Sequence, residues 1–175
     1  NPKEYYLKVK VGNEILIIAE KRAEAVFKDL LKVEYEVVEK ILGKKLEGIK
    51  YRPLFDVPVQ NKIKNDPNAH RIILSIPVLI KKSFKHKFKE EKETKEENVE
   101  EFVSMDEGSG AVHTAPGHGP TDHMMGQHYN LPIISPVNEQ GRYTEDAGEF
   151  NGIFVKDADK IIAEKLEKKN LLLHF

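Results

Sequence analysis

Residues 108–122 read GSGAVHTAPGHGPTD, from Gly108 to Asp122, and hold four glycines, two prolines, two histidines and one acid in fifteen positions. A packed core has no use for that mixture. Glycine admits positive φ or the close approach of another group to the backbone, and proline holds the chain extended as it turns. The stretch lies between an apolar strand pattern and a helix pattern, and it reads as the wall of a pocket.

Working outward, Val99–Met105 and Ala111–Thr114 read as strands on either side of the Gly108-Ser109-Gly110 turn, and a helix is expected to begin near Thr121. Toward the N-terminus, Tyr5–Val11 alternates apolar and basic residues, and Gly12-Asn13 separates it from Glu14–Ala19, a β-hairpin signal. Ala23, Val26, Phe27, Leu30 and Leu31 recur at helical spacing over residues 20–31, so a helix there needs a sheet beneath its apolar stripe. Tyr35–Leu42 and Arg71–Ile80 read as strands, joined by a loop broken at Pro53, Pro58 and Pro67. Ala158–Lys168 reads as a late helix with Asp157 as N-cap and Asn170 near its end, and Leu171-Leu172-Leu173 as a final buried strand.

The chain has 175 residues, enough for one domain with a real core. Residues 1–175 are expected to form a single domain, interrupted at 81–98 by a charged, solvent-exposed insertion. Lys81–Glu101 carries seven lysines and seven glutamates, a solvated charge run whose early lysines also fit an RNA-contacting arm. With 28 basic and 29 acidic side chains the net charge is −1, so no global positive field holds this chain on nucleic acid, and any RNA contact is local. The absence of cysteine excludes a disulfide framework and thiolate chemistry. No apolar run is long enough to cross a bilayer and the start has no signal-peptide character. The expectation is a soluble cytoplasmic protein, an organellar matrix being the other compartment open to it.

Asp122 falls in the first turn of the expected helix, where free N–H groups and the positive end of the macrodipole favour an ionised carboxylate. That suits gripping a cation, and equally suits a residue that only charges a helix start. His113 fits a pocket lining or a core histidine with one satisfied nitrogen. His113, His118, His123 and His128 recur every five residues, which invites a metal reading. On a helix, however, five residues rotate by roughly 140° net and scatter the rings, the first two precede the helix, and no HExxH or cysteine set is present. No metal is expected.

The run HTAPGHGPTD at His113–Asp122, continued by GQHYNLPIISPVNEQGRY at Gly126–Tyr143, resembles the editing (connective-peptide) domain of isoleucyl-tRNA synthetase, a class I aminoacyl-tRNA synthetase. Leu46–Phe55 (LEGIKYRPLF) and Gly148–Asp157 (GEFNGIFVKD) extend the resemblance over nearly the whole chain except 81–98. It implies an α+β fold with a β-barrel-like core of mostly antiparallel strands and flanking helices. It implies hydrolysis of the ester of mischarged valyl-tRNA(Ile), with Asp122 and His113 as the catalytic pair. Asp122 would hold the α-ammonium of the misattached amino acid, and His113 would limit side-chain size beside the pocket. Gly108, Ser109, Gly110, Thr114, Pro116, Gly117, His118 and Gly119 would bind substrate, the last three shaping the loop over the terminal adenosine, with backbone amides making the contacts.

The implied partners are the 3′ end of tRNA(Ile) and the rest of a synthetase chain, with no membrane and a monomeric isolated domain. The editing reaction needs no cofactor, whereas the parent enzyme uses ATP and Mg in its separate synthetic domain. The family carries a threonine-rich, tryptophan-containing segment just before the point matching Asn1-Pro2, and this chain has no tryptophan. The chain is therefore expected to be an excised insert of weak activity by itself. Three other readings compete: a valyl-tRNA synthetase editing domain clearing threonine, a non-catalytic β-barrel RNA-binding module, and a histidine metal hydrolase. His113 and Gly119 favour the isoleucyl over the valyl pattern, which places a lysine and an aspartate there.

Overall fold

The computed structural model describes residues 1–78 and 100–174. The chain groups into two compact units, one of Asn1–Gly48 with Ile73–Thr114 and one of Ile49–Ile72 with Ala115–Phe175. The charged stretch 81–98 lies outside the described residues.

The first unit is built on a hairpin. Strands β1 (Tyr5–Val11) and β2 (Glu14–Ala19) pair antiparallel with Val11 opposite Glu14, so Gly12-Asn13 is a two-residue loop. Gly12 has φ +58, the conformation a type II′ loop demands at its first central position. Helix α1 (Glu20–Glu24) follows β2 directly and continues as a wider π-helical turn, Ala25–Leu30. Strand β3 (Glu36–Leu42) then returns antiparallel to β1, giving the sheet order β2-β1-β3. Lys8 faces Glu39 while Val9 faces Val37, so Val38 is an extra, bulged residue, and it is 54% exposed.

Alternation places Leu7, Val9 and Ile18 on one face of this sheet, and the helical stripe Ala23, Val26 and Phe27 covers them. Phe27 is 1% exposed and its ring meets Tyr35 at 5.0 Å. The stripe therefore found the sheet that its spacing required, with Leu31 packed against the cluster but Leu30 left 48% exposed.

The second unit packs helix α2 (Pro58–Ile63), a 3₁₀ segment at Glu145–Phe150 and helix α4 (Val155–Lys168) around Val57, Val59, Ala147 and Phe150. Helix α3 (Pro120–His128) belongs to the same unit. Both α3 and α4 end on a left-handed asparagine, Asn130 (φ 51) and Asn170 (φ 54). After α3, Leu131 N–H donates to Gly126 O at 2.8 Å, and after α4, Leu171 N–H donates to Leu166 O at 2.9 Å. These are Schellman endings, in which an αL residue lets the next amides satisfy the last free carbonyls.

The α+β mixture agrees with expectation; the barrel-like core does not emerge. Among the described residues the main sheet has three strands and is open, with β2 and β3 at its edges, and the second sheet has only β4 (Pro77–Val78) and β5 (Glu100–Glu101). Four strand readings were too generous. Arg71–Ile80 holds only a single bridge, Arg71 to Lys50, and β4, with 79–80 outside the described residues. Of Val99–Met105 only β5 joins a ladder, with Val99 outside the described residues, and Ala111–Thr114 joins none. Leu171–Leu173 is irregular because the αL turn at Asn170 redirects it, and Leu171 is 52% exposed. Helix α4 also starts earlier than read: Phe154 holds the N-cap position without a side-chain cap, and Asp157 lies inside the first turn.

Truncation of Phe27 to Ala is expected to lower unfolding free energy by about 3–5 kcal/mol, the range for a fully buried aromatic. Ile15→Ser, at a site 52% exposed, should stay within about 0.5 kcal/mol. Urea denaturation of the two variants tests the assignment of the core.

Candidate functional site

The segment that opened the sequence analysis is shared between the two units, which divide it after Thr114. In the first unit the turn at Gly108–Gly110 is clamped through its carbonyls. Arg22 donates from Nε to Gly108 O at 3.0 Å and from Nη1 to Asp106 O at 2.8 Å. Ala19 N–H donates to Ser109 O at 2.9 Å, and the Tyr6 hydroxyl, buried, donates to Gly110 O at 2.7 Å. Burial first, and Glu4 second, raise the Tyr6 pKa above the ordinary phenol value, so its hydroxyl is held as a proton donor. Gly108 and Gly110 both have positive φ, and a Cβ on Gly110 would lie 2.4 Å from the Ala19 Cβ, so this turn is pressed against the end of β2. Beyond it Ala111, Val112 and His113 are exposed and Thr114 is half-buried.

In the second unit, Ala115–Gly119 forms a tight loop leading into α3. His118 N–H donates to Ala115 O at 2.9 Å, closing a turn across Pro116-Gly117. Glycine is required at 117 by contact rather than by φ, since a Cβ there would lie 2.1 Å from the Ile134 carbonyl oxygen. Pro116 is buried, and a Cβ on Gly126 of α3 would lie 2.7 Å from its Cβ. His123 Nδ1 is 3.1 Å from the Pro116 carbonyl oxygen. A carbonyl can only accept, so Nδ1 carries the proton. The loop is thus bolted to α3 by one glycine contact and one imidazole hydrogen bond.

Helix α3 starts as its residues dictate. Gly119 is the N-cap in extended conformation, Pro120 follows at N1 where its missing N–H costs nothing, and His123 N–H makes the first helical bond to Gly119 O at 2.8 Å. Asp122 is then the third helical residue, half-buried, and its carboxylate folds back over Gly119: a Cβ on that glycine would lie 2.6 Å from Asp122 Oδ2. The free amides of the first turn and the positive end of the macrodipole lie at this carboxylate. The arrangement suits holding a cationic group beside the half-buried glycine loop.

The second unit therefore gathers Pro116, Gly117, His118, Gly119 and Asp122, while Gly108, Ser109, Gly110, His113 and Thr114 belong to the first. The His118 side chain is exposed. His123 is committed to Pro116 rather than turned toward a metal, and among the described residues no three His, Asp or Glu side chains group as ligands would.

Sequence reasoning missed the supporting residues Tyr6, Arg22, His123 and Gly126. Of these only Gly126 carried a readable signal, since a glycine inside a helix costs about 1 kcal/mol relative to alanine and marks a close approach. It also passed over a cavity of about 380 Å³ in the second unit, lined by residues between 50 and 70 whose structure read as broken loop.

Gly117→Ala is expected to destabilise the chain by about 1–3 kcal/mol or more, because its neighbour is backbone that cannot swing away. Gly119→Ala should cost less than about 1 kcal/mol while displacing the Asp122 carboxylate, the flexible end of a side chain. Denaturation curves, with the chemical shift of the Asp122 carboxyl carbon for the second variant, check both.

No protein-family model matches the chain. Curated relatives do, along its whole length. It is 35% identical over 176 residues to the isoleucine–tRNA ligase of Fervidobacterium nodosum, covering 100% of this chain and 15% of that protein. It is 39% identical over 167 residues to that of Methanocaldococcus jannaschii, covering 92% of this chain and 14% of that protein. A third, from Methanothermobacter marburgensis, is 37% identical over 170 residues and shares 96% of this chain. The chain thus spans about 15% of the length of the relatives it matches.

Proposed function

Because the chain belongs to the isoleucyl-tRNA synthetase family, matching its members over a small part of their length, we propose that it is a post-transfer editing domain that hydrolyses the ester of valyl-tRNA(Ile). The observation that carries this reading is the placement of Asp122. It is a half-buried carboxylate in the first turn of α3, folded over Gly119 and facing a loop tied down by Gly117 and His123.

The chemical need for such a site is quantitative. Valine lacks one methylene of isoleucine, and burial of a methylene contributes only about 0.8 kcal/mol, somewhat more in a tight pocket. This family is itself the established illustration that such a difference limits selection by binding and calls for a second sieve. In the proposed reaction Asp122 holds the α-ammonium and the half-buried glycine loop Gly117–Gly119 receives the terminal adenosine. Water then attacks the positioned ester carbonyl, with the neighbouring ribose hydroxyl of the substrate assisting. No covalent intermediate is needed, and positioning supplies much of the rate. Its partners would be the tRNA(Ile) 3′ end and the remainder of a synthetase, with ATP and Mg serving only a separate synthetic domain.

The test is deacylation of valyl-tRNA(Ile) against isoleucyl-tRNA(Ile), by this chain and by a longer piece of an isoleucyl-tRNA synthetase that contains it. Selective release of valine is expected, falling by about 10²-fold with Asp122→Ala, the scale of a lost charge-assisted contact. Binding of many RNAs without turnover by either form would instead favour a non-catalytic RNA-binding module.

A further inference from the structure

The cavity in the second unit offers a separate chemistry. Its walls come from the loop Lys50–Asp56, from α2 and from the end of the Pro67–His70 turn. Backbone bonds from Tyr51 N–H to His70 O at 2.9 Å and from Ile72 N–H to Ile49 O at 2.8 Å hold the two sides together. At about 380 Å³ it lies within the roughly 300–1,000 Å³ usual for small-ligand pockets.

Most of its polar groups are already committed. Lys50 Nζ donates to Pro67 O at 2.6 Å and to Ala69 O at 2.7 Å. His70, held at φ 50, sets Nε2 2.5 Å from Gln60 Oε1, and burial, then the Lys50 charge, lower its pKa below the ordinary imidazole value. Asp56 Oδ1 accepts from Asn61 Nδ2 at 2.7 Å. Phe55 is covered by Lys169, 4.7 Å from its ring centre.

What remains is specific. Arg52 and Lys64 line the cavity, and neither is hydrogen-bonded or ion-paired to another described residue. Tyr51 shares that lining, 51% exposed, its ring steadied by His70 at 5.9 Å in an edge contact. Two uncommitted cations and a half-open aromatic ring in the lining of one cavity match one ligand chemistry. A phosphate group takes the guanidinium and ammonium, and a flat heterocycle stacks on the tyrosine. We infer that this cavity is a nucleotide site, taking a nucleoside monophosphate unit either as the free nucleotide or as one residue of an RNA strand. The inference stands independently of the editing reading.

Residue-resolved NMR of the whole chain, following backbone amides and the Arg52 Nε–H group, tests it with AMP, ribose 5-phosphate, inorganic phosphate and a mixed-sequence RNA tetranucleotide. AMP should shift Tyr51, Arg52 and Lys64 and bind at least tenfold more tightly than ribose 5-phosphate or phosphate. The double variant Arg52→Gln, Lys64→Gln should weaken AMP at least tenfold, Tyr51→Leu should weaken it severalfold, and Tyr51→Phe should retain it. A tetranucleotide binding tenfold more tightly than AMP assigns the site to a strand, and equal affinities assign it to the free nucleotide. AMP binding no better than phosphate, or with no shifts among residues 50–64, overturns the inference. Asp122→Ala should leave the shifts at Tyr51, Arg52 and Lys64 unchanged, so failure here and failure of the editing reading are separately visible.

Discussion

The candidate site depends on one constraint: the backbone at Pro116–Gly119 must approach its neighbours more closely than any side chain allows. Gly117 lies against the Ile134 carbonyl, Gly126 of α3 lies against Pro116, and the His123 imidazole locks the Pro116 carbonyl in place. From that fixed loop the rest follows by covalent geometry. Gly119 ends extended, Pro120 starts the helix, and Asp122 arrives in the first turn with its carboxylate over the N-cap. A chain with alanine at these glycines would keep the same functional groups and lose their positions.

How much of this was legible in the sequence depends on whether the signal was local. The hairpin at Gly12-Asn13 was readable because loop length and φ requirement are set within four residues. The helix over residues 20–31 was readable because its apolar spacing is, although the widening to a π-turn at Ala25–Leu30 was not. The start of α3 was readable from Gly119-Pro120. Strand readings overreached at Arg71–Ile80, Ala111–Thr114 and Leu171–Leu173, because β-branched and leucine-rich runs fit extended irregular backbone as well as a ladder, and pairing is decided by residues far away in sequence. The barrel came from resemblance alone, and the described strands form an open sheet.

The site shows the same division. The glycines stood out by local composition, whereas the role given to Asp122 came from the resemblance, since its position alone suits a charged helix start equally well. Arg22 and Tyr6 were invisible: they hold the Gly108–Gly110 turn from residues 86 and 104 positions away. The near-neutral composition likewise concealed a local excess of positive charge, since Lys50, Arg52 and Lys64 face one cavity while the chain as a whole carries a net charge of −1.

The central claim is that the Asp122 carboxylate receives the ammonium of an aminoacyl adenosine. The most direct measurement is a crystal structure of the chain with a non-hydrolysable analogue, valine joined to the terminal adenosine ribose through an amide. The account predicts the ammonium nitrogen about 3 Å from an Asp122 carboxylate oxygen, with adenosine over Gly117–Gly119. An analogue bound with its ammonium away from Asp122, or with equal affinity by Asp122→Asn, would contradict it.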